Sequence, residues 1–352
     1  MDNYRNKRDY RVKQYRFRGR SYQKRPHQLK KMKKLNTYIA LVPIVILAVM
    51  PPLGMYVPFT DKVAWTWLFL LFGFLGFTTF FLNISPYVKA LSVLCFINVF
   101  FSKAPFISQF SYMEMISCVY LYWICRRIED WSIVFRALEV ILAMNILLLC
   151  LQSVGKDSLL NFGFYQSSCH GLVGNTMQLK SYIIVLMAIL IQQFKFTRRG
   201  KFVLGASAFV IAISYFFAHR VFVSFMFARG PVWIETCILS MQHPFIGWGI
   251  GTYKAIFASI SNLSAVTQGE GRWITCHNDF FQVLFEVGIP TFFIFIAYCV
   301  SLLKQCRGVL LYGALLIAFS MSVHFPMRTT QIVPLLILFV AYIERIKHGS
   351  CK

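Results

Sequence analysis

Charge is scarce in this chain, and acid is scarcer still. Only 14% of its 352 residues are Asp, Glu, Lys or Arg, and the 13 acids are outnumbered by 36 bases. A chain that is 57% hydrophobic, with mean hydropathy +0.59, cannot hide all its apolar surface in one water-soluble core. The phosphate-binding pattern GxxxxGK[ST] is missing, and no polar stretch is long enough to hold ATP, which excludes a nucleotide-driven pump. Internal repetition is missing too, so the matched halves that argue a transporter are not there. No HxxH or HExxH pair occurs, so neither a metal nor any other cofactor is expected. The ten cysteines are dispersed.

What the chain does have is long apolar runs and a localised excess of base. Of the 36 Lys and Arg residues, 14 fall within residues 1–34, a stretch without apolar periodicity. Charge gathered in this way predicts a disordered tail lying against an anionic lipid surface, and no nucleic acid is expected as a partner. Apolar segments follow at 37–57, 63–82, 87–101, 106–125, 132–152, 176–194, 202–218, 280–303, 309–323 and 331–343. Their number predicts an all-α polytopic membrane protein of about ten helices, within a range of nine to twelve.

Placing the amino terminus in the cytoplasm puts Arg126-Arg127, KFTRRGK at 195–201, KQCRG at 304–308 and the tail IERIKHGSCK on the same side. That obeys the positive-inside rule and predicts a multi-pass protein of the bacterial inner membrane with both termini cytoplasmic. Three parts follow: the basic tail 1–34, a transmembrane catalytic body 35–343, and a short tail 344–352. The long connections 153–175 and 219–279 then face outward, and the chemistry is expected there. Cys169, Cys237 and Cys276 share that side, which permits one disulfide without specifying it.

Within 219–279, Arg220 and Arg229 flank eight apolar residues. Pro231 stands where a helix can begin, with Trp233, Cys237, Ile238 and Met241 as its apolar face. His243-Pro244 closes it, and GWGIGTY supplies glycines for a tight turn. The segment ends in CHNDFFQVLFEVGIP, a polar pair, His277-Asn278, leading into an apolar helix that carries Glu286.

The order ARGPVWIETCILSMQHPFIGWGIGTY followed by CHNDFFQVLFEVGIP resembles the signature region of the bacterial O-antigen ligase and O-antigen polymerase superfamily over residues 229–290. The resemblance implies a metal-independent glycosyltransferase with an undecaprenyl-pyrophosphate-linked glycan as donor and a growing glycan or lipid A-core hydroxyl as acceptor. Membrane lipids and polysaccharide-assembly proteins would be further partners. It implies His277 as the base, Arg229 as the pyrophosphate contact, Asn278 beside the base, and Arg220 as a second catalytic arginine. Fewer residues separate Arg220 from Arg229 here than is common in that family. The compact chain favours a polymerase over a ligase, and an exporter of lipid-linked oligosaccharides or a non-catalytic scaffold are readings from other classes.

The chemistry asks for the same residue types. A sugar leaving a pyrophosphate needs a base for the acceptor hydroxyl and cations for the departing oxygens, and arginine offers a fixed fork of donors. An unperturbed histidine titrates near pH 6.5 and can take that proton. Glu286, nine residues beyond His277, can share its helix face and orient a neighbouring element. Arg272, His243 and Trp233 complete the expected substrate contacts, with His324 and Arg328 as weaker candidates. Glu114 and Glu139 lie inside apolar runs, where an acid is expected to face the bundle.

Overall fold

Proline opens two helices of the computed structural model. Pro86 and Pro105 each stand in the first turn, where the missing N–H would have had no helical partner. The structure describes residues 35, 37, 38, 41, 42, 45, 84–153, 176–193, 221–261, 275–323, 326–328 and 332–349. The basic stretch 1–34, the runs 63–82 and 202–218, and Arg220, Arg272, His324 and the Arg328 side chain lie outside it.

Among the described residues the elements are α1 (Pro86–Phe101), α2 (Pro105–Cys125), α3 (Trp131–Ser153), α4 (Thr176–Leu190), α5 (Val221–Ser240), α6 (Tyr253–Ile260), α7 (Asp279–Gln305), α8 (Val309–Val323) and α9 (Val333–Gly349). Two short 3-10 turns, Ile191–Gln193 and Pro326–Arg328, join them. α7 lies at the centre, packed on α1, α5, α8 and α9, while α4 packs on α8 and α2 on α9. The inward face of α1 shows why it is helical: Val88, Ser92, Cys95 and Val99 recur at helical spacing and are all buried. Larger apolar residues such as Leu138, Tyr182, Leu186, Ile189, Leu335 and Leu338 form the main core between α3, α4 and α9.

This architecture corrects the ten-span polytopic fold and the multi-pass inner-membrane placement that hydropathy predicts. Among the described residues two helical segments, Trp131–Leu151 and Asp279–Gln305, are long and apolar enough to cross a membrane. The second of them is broken, because Gly288 has φ 74° and ψ 174°. Polar side chains are buried in several places and many are hydrogen-bonded internally, as in the Ser181–Ser320 hydroxyl pair at 2.6 Å. Glu139, expected to face a bundle, is exposed on α3 and accepts from Gln193.

Two of the four basic turns that suggested a cytoplasmic side hold arginines within the fold, while Lys304 and Arg307 are exposed and 195–201 lies outside the described residues. Arg126 pairs with Glu344 at 3.1 Å, and Arg127 lies 3.6 Å over the Trp123 ring. Arg345 donates to the Ile128 and Glu129 carbonyls. Protein partners therefore account for these three arginines. Residues 219–279 also differ from a long loop, since α5 and α6 occupy much of that stretch.

Candidate functional site

Pro231 lies inside α5 rather than at its start. Its fixed φ is compatible with a helix and costs one backbone hydrogen bond, so the helix reaches back to Val221. The buried face of α5 carries Val232, Thr236, Leu239 and Ser240, while Ile238 and Met241 are exposed. The difference from the apolar face expected has a local cause. Thr236 and Ser240 bond their hydroxyls to the carbonyls one turn back, each at 2.6 Å, and so bury without an unmet donor.

Arg229 and Trp233 are one turn apart on α5; Trp233 reaches the segment that precedes α7 and Arg229 the end of α8. Trp233 Nε1 donates to the Cys276 carbonyl at 2.9 Å, and its ring packs 6.0 Å from Phe281. Arg229 Nη1 donates to the Val323 carbonyl at 2.6 Å, at the carboxyl end of α8. Asn278 donates from Nδ2 to the adjacent Ser322 carbonyl at 2.8 Å. The arginine and the His277-Asn278 pair, far apart in the chain, thus meet at consecutive carbonyls where α8 ends.

Local chemistry fixes the histidine. Asn278 is the N-cap of α7, its Oδ1 accepting from the Phe281 N–H at 3.1 Å, and Asp279 Oδ2 accepts from the Met327 N–H at 3.0 Å. His277 is half-buried with Nδ1 turned inward, and its φ of 53° places a non-glycine residue in the left-handed region. Such backbone costs on the order of 1–3 kcal/mol and persists only where its surroundings impose it.

The surroundings here form a relay along one face of α7. The Cys276 N–H donates to Gln282 Oε1 at 3.3 Å, and Gln282 Nε2 donates to Glu286 Oε1 at 3.1 Å. Glu286 Oε2 in turn accepts from the Gly251 N–H at 2.9 Å. Asn278, Gln282 and Glu286 are spaced four residues apart, so the cap, the strap before His277 and the glycine turn share one ridge. Glu286 is buried, and its bonds to Gln282 and the Gly251 N–H anchor the glycine turn. Replacing Glu286 with Ala is expected to weaken both ends of the relay and lower Tm, while Gln is milder because it still accepts from Gln282. Thermal melts of both variants check this, and equal falls in Tm would show that the relay does not act.

The turn itself is inserted against the break in α7. Trp248 and Gly249 N–H groups donate to the Phe285 and Glu286 carbonyls, and Ile289 N–H donates to the Pro244 carbonyl. Asn98, buried on α1, donates to the Ile246 and Glu286 carbonyls and accepts from the Ile250 N–H. A Cβ on Gly288 would sit 2.7 Å from Phe245 backbone, and one on Gly247 2.6 Å from Glu286 backbone. Both glycines also have positive φ, so substitution is strained as well as blocked. Gly288→Ala is expected to lower stability by at least about 1–3 kcal/mol, read as a fall in Tm.

Burial lowers the Arg229 pKa to about 10, so it stays charged at neutral pH. His243 is also lowered, first by burial and then by the charge of Lys103, and its ring meets Trp248 edge-on at 4.3 Å. Along α5, roughly 16 Å of helix separates Arg229 from Ser240, so His243 sits with the glycine turn at the far end. The structure therefore brings Arg229, Trp233, His277 and Asn278 together and leaves His243 apart from them. Asn98 and Gln282 are additions the sequence reading missed. Comparison with protein-family models, curated proteins and solved structures returns no match.

Proposed function

We propose that this chain transfers a glycan from a polyprenyl-pyrophosphate donor to a sugar hydroxyl. The observation that carries the reading is the meeting of Arg229 with His277-Asn278 at the Ser322 and Val323 carbonyls. The acceptor oxygen attacks the anomeric carbon and forms the new C–O bond. The bond from that carbon to the pyrophosphate oxygen breaks, and the electron pair leaves with the polyprenyl pyrophosphate. His277 takes the acceptor proton, and Arg229 faces the oxygens on which charge develops.

Support also comes from how these groups are held. The relay through Gln282 and the cap by Asn278 flank a backbone geometry that non-glycine residues adopt uncommonly. A purified chain supplied with a synthetic polyprenyl-pyrophosphate glycan and a sugar acceptor is expected to form one glycosidic bond for each polyprenyl pyrophosphate released. Movement of the lipid across vesicles without a new bond would instead identify an exporter.

A further inference from the structure

The glycine turn is held from two sides by different backbone groups. Its N–H groups at Trp248, Gly249 and Gly251 go to α7, to the Phe285 and Glu286 carbonyls and the Glu286 carboxylate. Its carbonyls at Ile246, Trp248 and Ile250 go to the corner between α1 and α2. Asn98 Nδ2 donates to the first, the Lys103 N–H to the second at 3.1 Å, and Ser108 Oγ to the third at 3.0 Å. The turn is thus a spacer set between that corner and the break in α7.

Asn98 reaches across the spacer. It is 2% exposed, its Oδ1 accepts from the Ile250 N–H at 2.7 Å, and its Nδ2 donates to the Glu286 carbonyl at 3.2 Å as well as to Ile246. One carboxamide serves three backbone groups, as acceptor once and as donor twice. An Asp of the same shape would keep the acceptor and lose both donors, and a Leu would lose all three.

The Glu286 carbonyl lies two residues before Gly288, where the helical backbone of α7 is broken. The direction of the half at 279–287 is therefore set by the contacts at this joint and not by the rest of α7. That half begins at the Asn278 cap and carries the Gln282–Glu286 pair that holds the Cys276 N–H, so the residues on either side of His277 move with it. Roughly 12 Å of helix separates Glu286 from the cap. From this geometry we infer that Asn98 is a positioning residue for His277, acting at the joint through the first half of α7. Its effect on catalysis rests on the proposed transfer, whereas its effect on the placement of 276–283 rests on the fold alone.

Asn98→Ala and Asn98→Ser, each checked for a native-like melt on the full chain, test it by two readouts. Hydrogen–deuterium exchange needs no transfer. Both variants are expected to exchange roughly tenfold faster over 276–283 as well as over 246–251. Ser108→Ala frees the Ile250 carbonyl but leaves Asn98 in place, and should speed exchange over 246–251 alone. Faster exchange confined to 246–251 in the Asn98 variants would overturn the inference, because Asn98 would then hold only the turn. In steady-state transfer the Asn98 variants should lose about 10²-fold in kcat with KM for the donor little changed, the pattern of a misplaced catalytic group. Wild-type kcat, or a loss carried by KM, would overturn the positioning role. A wild-type chain that transfers nothing, with the expected exchange pattern, would sink the transfer reading and uphold the joint.

Discussion

His277→Gln is expected to lower single-turnover transfer by roughly 10²- to 10⁴-fold, the range lost when a positioned proton acceptor is removed. Glutamine keeps much of the size and hydrogen bonding of histidine but does not titrate. A histidine that served only as a structural corner would tolerate the change. Donor binding should fall little, because the proton moves only in the transition state. Near-wild-type transfer by H277Q would exclude the role.

Arg229 carries the second large effect. Removing it deletes a positive charge at the end of α8, where Asn278 also binds, and the donor to the Val323 carbonyl, so Arg229→Ala should cripple transfer and lower Tm together. Arg229→Lys separates the two losses. Lysine restores a charge but supplies a point donor in place of the planar fork that grips two phosphate oxygens, and weaker donor affinity is expected. Burial pulls the arginine down to about 10, and the same burial would draw a lysine lower still from its ordinary value. Donor binding by the wild type should therefore hold through neutral pH and weaken only towards about 10, while R229K loses affinity at lower pH. Identical affinity and pH dependence in both proteins would remove Arg229 from the donor site.

Parts of this arrangement were legible in the chain. The polar pair at 277–278 ahead of an apolar run marks the cap and start of α7, and local hydrogen-bond chemistry was enough to point there. Asn278, Gln282 and Glu286 stand at four-residue intervals in plain view, yet only the first and last were singled out. The relay becomes visible once the Cys276 N–H and the Gly251 N–H are known to point at it. Asn98 could have been flagged as the lone amide in VLCFINVFF, but the turn it holds lies about 150 residues away, beyond any local pattern.

The larger miss concerns what the apolar runs are for. Hydropathy records that a segment avoids water without recording whether protein or lipid replaces it. The exposed Glu139 on α3, the buried serine pairs, and the break at Gly288 in the central helix depend on neighbours that no window of sequence contains. Likewise, counting Arg126 and Arg345 as topological signals overlooks Glu344 and the carbonyls that hold them.

The central claim is that Arg229 and His277 belong to one site, one holding the leaving group while the other takes the proton. A double-mutant cycle on single-turnover transfer tests this most directly, using R229A, H277Q and the combined variant with melts recorded for each. Groups that act as a unit show losses that do not add, so the double variant should be little slower than the worse single variant. Losses that simply multiply would place the two residues in independent roles and contradict the account.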